Sequence, residues 1–272
     1  MHVISKIRGH EEKFKVITRD GFEGFVTRNL ATGYAIAKSI QNKNISQIGI
    51  VDELLVFRYK DKEIKLDLGG ASDPYAPFFY EEYSFLKVKH KTVIDIGANI
   101  GDSSIYFALN GAKKVVGIEP YPYAYRLMEK NIRLNSLQKT VIPLNAGYGP
   151  IGSVVVTTKN SSNGMDLKEA KKGKTIPLYN LAYLSKRFKL NHAILKMDCE
   201  GCEYNLLKEE KAVIRKFDQI QIEYHYGCEE LVKKLRQAGF KVSHTTPKSI
   251  YNQDASNPKM SIGYIYALRK QA

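Results

Sequence analysis

One segment of the 272-residue chain has the residue spacing of a nucleotide-binding turn. Residues 93–107, VIDIGANIGDSSIYF, are typical of a buried strand, a glycine turn and a helix. Gly97 permits a tight turn and a close backbone approach to a ligand, and Gly101 opens a helix whose first amides face that ligand. Asp95 lies near the strand end at the same edge. We therefore expect a larger side chain at Gly97 to fill the ligand's space and leave the protein folded.

The position of a second acid indicates which nucleotide this turn binds. A dinucleotide-binding turn has the pattern G-x-G-x-x-G, whereas this segment has D-x-G-x-x-x-G, so NAD is disfavoured. The next apolar run, KVVGIE, ends at Glu119. A carboxylate at that strand end can accept hydrogen bonds from both ribose hydroxyls of an adenosine.

Acids and a histidine follow two later apolar runs. Asp198 and Glu200 come at the end of AILKMD, and Glu223 and His225 come at the end of QIQIEY. Adjacent parallel strands end at one edge of a sheet, so we expect these four groups to meet there and to remove a proton from a bound hydroxyl group. Asp198, Glu223 and His225 could alternatively hold a divalent cation, which the pattern does not favour.

The three cysteines, Cys199, Cys202 and Cys228, are too few and of odd number for a secreted disulfide framework. We expect reduced thiols. Cys199 and Cys202 have C-x-x-C spacing beside Cys228 and His225, which could form a zinc site. Two buried, small apolar side chains are the favoured interpretation, because side chains alternate in direction along a strand.

From Lys91 onward, apolar runs alternate with helical patterns, which predicts a parallel sheet covered by helices on both faces. Residues 1–77 are predicted instead to form a small α+β appendage, and residues 78–272 are predicted to form the catalytic domain. The appendage has a predicted helix around Leu30 to Gln41 and a hairpin with Asp61 and Lys62 at its turn. The aromatic stretch PYAPFFYEEYSFL predicts a helix that buries its aromatic face, or alternatively a lid.

Composition narrows the class of partner. The chain has a net charge of +14, which suggests an anionic partner such as RNA. Residues 1–90 contain 14 Lys and Arg against 12 Asp and Glu, so nearly all of the excess lies in the catalytic part. No apolar stretch reaches the roughly 20 residues that a membrane span needs, and no apolar signal core is present at the start. We therefore expect a cytoplasmic protein.

The turn and a second motif together resemble a known enzyme family. The segment ILKMDCEGCEYNLL contains the pattern K-x-D-x-E-G-x-E, formed by Lys196, Asp198, Glu200, Gly201 and Glu203. With the glycine turn it resembles the FkbM family of class I S-adenosylmethionine-dependent methyltransferases, over roughly residues 78–268. The resemblance implies an α/β, Rossmann-like fold with a mostly parallel, doubly wound sheet of seven strands.

The resemblance also implies roles for individual residues. The methionine part of S-adenosylmethionine would be surrounded by Asp95, Gly97, Asn99, Gly101 and Asp102. Glu119 would hold the ribose. Asn145 and Ala146, after the third strand of the sheet, would flank the adenine.

The residues at the late strand ends and the charge of the chain bear on the methyl acceptor. We expect O-methylation of a hydroxyl on a small molecule, a sugar or a glycan. The alternative is an RNA methyltransferase, supported by the charge and by EKNIRLNSL, which resembles a helix end of archaeal-type tRNA guanine methyltransferases. A noncatalytic nucleotide-binding module is disfavoured because the acids at both late strand ends are intact.

Overall fold

The structure is a computed structural model that describes residues 2–8, 11–18, 21–69, 75–157, 172–247 and 261–270. Within these ranges, no helix is both long and apolar enough to cross a membrane.

The N-terminal part contains two small antiparallel sheets separated by a helix. Its elements are β1 (His2–Arg8), β2 (Glu11–Ile17), β3 (Glu23–Thr27), α1 (Arg28–Ser39), β4 (Ile45–Val51), β5 (Leu54–Tyr59) and β6 (Lys62–Leu66). The predicted appendage helix is thus present, and Thr27 caps it by accepting a hydrogen bond from the Leu30 amide. The hairpin turn lies one residue earlier than predicted. Tyr59 pairs with Lys62, which leaves Lys60 and Asp61 in the turn, and Lys60 takes a left-handed conformation.

The predicted aromatic helix is wrong beyond one turn. Helix α2 spans only Tyr75–Phe78, although Phe78, Phe79 and Tyr83 are buried as expected. The Asn42 side-chain amide donates to the carbonyl oxygens of Phe78 (3.2 Å) and Phe79 (3.1 Å), which occupies groups that a longer helix would use. Residues 79–88 therefore continue as irregular chain.

The large sheet has seven strands, as predicted. In chain order they are β7 (Thr92–Ile96), β8 (Lys114–Ile118), β9 (Val141–Leu144), β13 (Ala193–Met197), β14 (Phe217–Tyr224), β15 (Phe240–His244) and β16 (Gly263–Arg269). Their spatial order is β15-β16-β14-β13-β7-β8-β9. Strand β16 is antiparallel to both neighbours, and all other pairs are parallel. The C-terminal ends of β7, β8, β13 and β14 consequently lie along one edge.

Helices cover both faces of this sheet. They are α3 (Asp102–Leu109), α4 (Pro122–Leu134), α5 (Leu181–Phe188), a 3₁₀ helix (Cys202–Lys208), α6 (Lys211–Ile214) and α7 (Glu229–Gln237). Val93 packs into the core that α3, α4 and the appendage share, whereas its neighbour Ile94 packs into the core with α5 and α7. This alternation is the two-residue period of a strand buried on both sides, so the doubly wound fold is confirmed.

Two additions surround the sheet. Strands β10 (Gly147–Tyr148), β11 (Gly152–Val156) and β12 (Lys174–Tyr179) form a small sheet after β9. The appendage is held by α4 and the residue that follows it. The Asn131 side chain exchanges two hydrogen bonds with the backbone of Asp67, and the Asn135 side chain exchanges two with the backbone of Lys65. The boundary between residues 77 and 78 stays a prediction.

Candidate active site

The glycine turn connects β7 to α3 and is tied to the neighbouring strand. The amides of Gly97 and Ala98 both donate to the Ile118 carbonyl oxygen at 3.0 Å. Gly97 has a φ of 77°, and a Cβ atom there would lie 1.7 Å from the Asp198 carbonyl oxygen. The structure therefore corrects one expectation. A side chain at Gly97 meets the protein's own backbone at the end of β13, so a substitution disturbs the fold before it reaches a ligand.

A buried lysine links the glycine turn to the second motif. Lys196 Nζ lies 3.2 Å from Asp95 Oδ1 and 3.8 Å from Asp198 Oδ2, and it donates to the Gly97 carbonyl oxygen at 2.8 Å. Burial lowers the pKa of Lys196, but the charges of Asp95 and Asp198 outweigh it and raise the pKa overall. The charged amine therefore holds the ends of β7 and β13 together.

The Asp95 side chain is bound by other groups of the protein. Its Oδ2 accepts hydrogen bonds from the hydroxyls of Ser103 (2.7 Å) and Ser104 (2.6 Å), and its Oδ1 faces Lys196. The side chain is fully buried. Asp95 thus anchors the first turn of α3 to the strand.

Glu119 is held at the end of β8 by backbone amides. Its two carboxylate oxygens accept from the amides of Tyr121 and Asn99, each at 2.9 Å. Burial raises the pKa of Glu119 to about 7, although these two hydrogen bonds lower it. Beside it, Asn99 Oδ1 is buried and has no hydrogen-bond partner among the described residues. An acceptor without a donor at this position suits a ligand that brings one.

The remaining residues of the predicted cofactor site, Asp102, Asn145 and Ala146, differ in their burial and in their contacts. Asp102 is buried in the first turn of α3, and burial raises its pKa to about 7. The Asn145 side-chain amide donates to the carbonyl oxygens of Glu119 (3.0 Å) and Pro120 (2.9 Å), which holds the chain after β8 in place. Ala146 packs into the core. The side chains of Asn145 and Ala146 are thus engaged within the protein.

His225 is buried between two carboxylates of the second motif. Its Nδ1 lies 2.9 Å from Glu203 Oε1, and its Nε2 lies 3.2 Å from Glu200 Oε2. Burial lowers the pKa of His225, but Glu203, Glu200 and Asp198 outweigh it and raise the pKa to about 8. The left-handed backbone of Glu200 (φ 55°) and Gly201 (φ 110°) turns the chain back so that Glu200 and Glu203 reach the same ring.

A second group of carboxyls lies beside this one. Glu223 pairs across the strands with Tyr264, whose hydroxyl donates to Glu82 Oε2 at 3.1 Å. Burial raises the pKa of Glu223 to about 10, and the charges of Asp198, Glu82 and Glu200 add to the shift. Burial and the neighbouring charges thus favour the protonated form of Glu223, which can donate a hydrogen bond. A role of Glu223 in proton removal stays a prediction.

A family model decides what this arrangement belongs to. The model of the FkbM methyltransferase domain matches residues 95–242, just over half of the chain, and spans both the glycine turn and the acid cluster. The chain belongs to the FkbM methyltransferase family. It is a methyltransferase that uses S-adenosylmethionine.

Two proteins similar in sequence come from a rod-shaped virus and from an archaeon. The chain is 30% identical over 155 residues to an uncharacterized protein, 158B, of Sulfolobus islandicus rod-shaped virus 1, covering 57% of this chain and 73% of that protein. It is 31% identical over 126 residues to the tRNA (guanine(37)-N(1))-methyltransferase Trm5b of Methanocaldococcus jannaschii, covering 43% of this chain and only 36% of that protein.

Among solved structures, Trm5b from Pyrococcus abyssi is similar, with 16% identity, a TM-score of 0.43, and coverage of 98% of this chain and 63% of that chain.

The FkbM motif carries two residues to which the sequence assigned no role. Glu203 is fully buried and orients His225, and Lys196 joins both halves of the site. Glu82 and Tyr264 come from the irregular segment before β7 and from the last strand, and no spacing signal marks them. The structure also changes the candidate cation ligands, because Asp198, Glu200 and His225 lie together and Glu223 is not among them.

The expectation of reduced thiols at Cys199 and Cys202 is wrong in this structure. The two residues form a disulfide across the turn that contains Glu200 and Gly201, whereas Cys228 is free and buried. A left-handed turn of this kind brings residues three apart close enough for their sulfur atoms to bond. The two cysteines are thereby removed as zinc ligands.

Proposed function

We propose that this FkbM methyltransferase transfers a methyl group to a hydroxyl of a neutral acceptor such as a small molecule, a sugar or a glycan. The observation that carries the proposal is the concentration of acids beside the glycine turn. Asp198, Glu200, Glu223 and Glu82 surround His225 and Tyr264. Carboxylates at this edge accept hydrogen bonds from hydroxyls and repel phosphates.

On the cofactor side, the proposal assigns two kinds of role. Glu119, Asn99 and Asp102 would contact the cofactor, and the backbone of the turn at Gly97 and Gly101 would lie against it. Asp95, Asn145 and Ala146 would position these contacts from within the protein, as their hydrogen bonds and burial support. S-adenosylmethionine supplies an electrophilic methyl group when it is bound.

On the acceptor side, this chain's residues must orient a hydroxyl and take its proton. Asp198 and Glu200 are half-buried, so they face both the cluster and the solvent-accessible side. A protonated Glu223 would donate a hydrogen bond to an acceptor oxygen, and the Tyr264 hydroxyl, which itself donates to Glu82, would accept one from the acceptor. The cluster of Asp198, Glu200 and His225 would take the proton of the hydroxyl, and the hydroxyl oxygen would bond to the methyl carbon as the methyl–sulfur bond breaks and S-adenosylhomocysteine leaves.

Replacing Glu119 with Ala should weaken binding of S-adenosylhomocysteine by about 1.5–3 kcal/mol, because a charged acceptor for two hydroxyls is lost. Isothermal calorimetry measures the effect. Glu129→Ala, on the outer part of α4, is the matched control and should bind normally. Unchanged affinity in a folded Glu119→Ala variant would remove the ribose assignment.

The affinity for S-adenosylhomocysteine should also depend on pH through Glu119. Ribose hydroxyls donate to the ionised carboxylate, so binding favours the deprotonated form. With a pKa of about 7 in the free protein, binding should be strongest above pH 8 and weaken by about tenfold as the pH falls from 8 to 6. Calorimetry at both pH values tests this, and the dependence should flatten in Glu119→Gln. An equal pH dependence in that variant argues against Glu119 as its source.

An RNA methyltransferase is the second candidate function. The similarity to the tRNA methyltransferase of M. jannaschii and the net charge of +14 favour it. One part of its sequence support has another explanation, because Asn131 of EKNIRLNSL is buried and its side chain bonds the backbone of Asp67 and Ile100. That residue holds the appendage.

One experiment separates the two candidates. The full chain is incubated with cofactor labelled in the methyl group and with cell extract split into RNA, glycan and small-metabolite pools. Label in a glycan or metabolite that mild base does not release supports an ether and hence a hydroxyl acceptor. Label confined to RNA, and recovered in a methylated base after digestion, rejects the hydroxyl proposal in favour of the second candidate.

A further inference from the structure

Asp198, Glu200 and His225 bring two carboxylates and one imidazole to a single point. One ligand atom from each residue lies within 4.8 Å of the other two. These residues come from the ends of β13 and β14, and their side chains are held by the surrounding fold. We propose that they bind one divalent cation that accepts both nitrogen and oxygen ligands, such as Mn²⁺.

The orientation of His225 is the first support. Glu203, itself fully buried, accepts from the His225 backbone amide at 3.1 Å and lies 2.9 Å from Nδ1. The second oxygen of Glu203 accepts from the Gly201 amide at 2.8 Å. A carboxylate in this position fixes Nδ1 as the donor and turns Nε2 toward the cluster. Metal-binding histidines commonly have such a carboxylate on their other nitrogen.

The environment of Nε2 is the second support. His225 is only 1% exposed. Its Nε2 lies 3.2 Å from Glu200 Oε2. A divalent cation bound here takes the place of a proton on Nε2 and is coordinated by this nitrogen, by Glu200 and by Asp198.

The charge balance is the third support. Glu200 and Glu203 flank His225, and Asp198 lies beside them, so three carboxyls meet at one imidazole. Lys196 is a nearby cation, but it lies closer to Asp95 (3.2 Å) than to Asp198 (3.8 Å). A chain of net charge +14 thus concentrates acids at one point, where a bound cation compensates them.

The ligand types and exposure select the cation class. Carboxylates suit Mg²⁺ and Mn²⁺, whereas an imidazole favours transition metals, and Mn²⁺ satisfies both preferences. The side chains of Asp198 and Glu200 are 29% and 27% exposed, so the site is open on one side. Water or an acceptor hydroxyl can complete the coordination there. A role of the cation in acidifying that hydroxyl rests on the proposed function; binding of the cation does not.

The test uses the full chain after dialysis against EDTA and then against metal-free buffer. Mn²⁺ is titrated in, and the free ion is followed by electron paramagnetic resonance. We expect one Mn²⁺ per chain. Glu200→Gln should weaken binding by about tenfold or more, and Glu203→Gln, which alters the orientation of His225, by about 10–100-fold. Glu230→Gln, an exposed carboxylate on α7, is the matched control and should bind Mn²⁺ like the unaltered protein.

Two results overturn the proposal. One is the absence of saturable Mn²⁺ binding, which leaves His225 as an imidazolium paired with Glu200. The other is equal Mn²⁺ binding by Glu200→Gln. Because Glu200 is partly exposed, misfolding is a poor explanation for weaker binding by this variant. Calorimetry with S-adenosylhomocysteine on the same samples separates this failure from a failure of the proposed function. Cofactor binding without Mn²⁺ binding rejects the cation site alone, whereas loss of cofactor binding in the unaltered protein contradicts the cofactor site.

Discussion

Replacing Asp198 with Asn should lower turnover by about a hundredfold or more and change cofactor affinity little. The substitution keeps the shape of the side chain and removes its charge. Proton removal by a positioned group is usually worth 10²–10⁴-fold, and loss of a cation ligand has a comparable effect. Glu119 and the glycine turn stay intact, so the effect should fall on kcat rather than on the cofactor's Kd.

Steady-state kinetics with the acceptor identified by labelling measures this effect, and calorimetry gives the cofactor affinity. Asp61→Asn, in the exposed turn between β5 and β6, is the matched control and should be fully active. Chelation then distinguishes the two roles of Asp198. A cation-dependent enzyme loses activity in EDTA and recovers with added metal, whereas a purely histidine-based one does not respond. Full activity of Asp198→Asn would leave the motif on β13 with a structural role and return the chemistry to His225.

Replacing Gly97 with Ala should destabilise the protein and abolish cofactor binding together. The left-handed backbone costs a Cβ-bearing residue about 1–2 kcal/mol. The added carbon would also lie 1.7 Å from the Asp198 carbonyl oxygen, and forced rearrangement of a packed site typically costs about 1–3 kcal/mol more. The ends of β7 and β13 must separate to relieve the contact, which displaces Asp198 and the lysine bridge.

Thermal unfolding followed by circular dichroism should show Tm lowered by roughly 5–15 °C, given about 2–4 °C per kcal/mol for a chain of this size. Gly49→Ala is the control, because a Cβ atom there meets nothing within 4 Å and the backbone is not left-handed. A Gly97→Ala protein with an unchanged Tm but no cofactor binding would restore the original expectation that the side chain only fills ligand space.

The sequence by itself determined the sheet, the glycine turn and the family. Apolar runs such as TVIDI and KVVGI report burial on both faces of a strand, and this signal is local because neighbouring residues point to opposite faces. The motif K-x-D-x-E-G-x-E is likewise contained in eight consecutive residues. The parallel arrangement then requires the strand ends to share an edge, which is why Asp198, Glu200 and His225 could be expected together.

Only the tertiary structure decided what each side chain of the site faces. Lys196 reaches Asp95 across about a hundred residues, and Glu203 reaches His225 from a different element. Glu82 enters from a segment whose helix is cut short by Asn42. Such contacts depend on how separate elements pack. The burial that raises the pKa of Glu223 and the position of the Asp198 carbonyl beside Gly97 depend on the same packing. The periodicity of apolar residues along one strand shows that the strand is buried, but it does not show which groups of other elements lie against that strand.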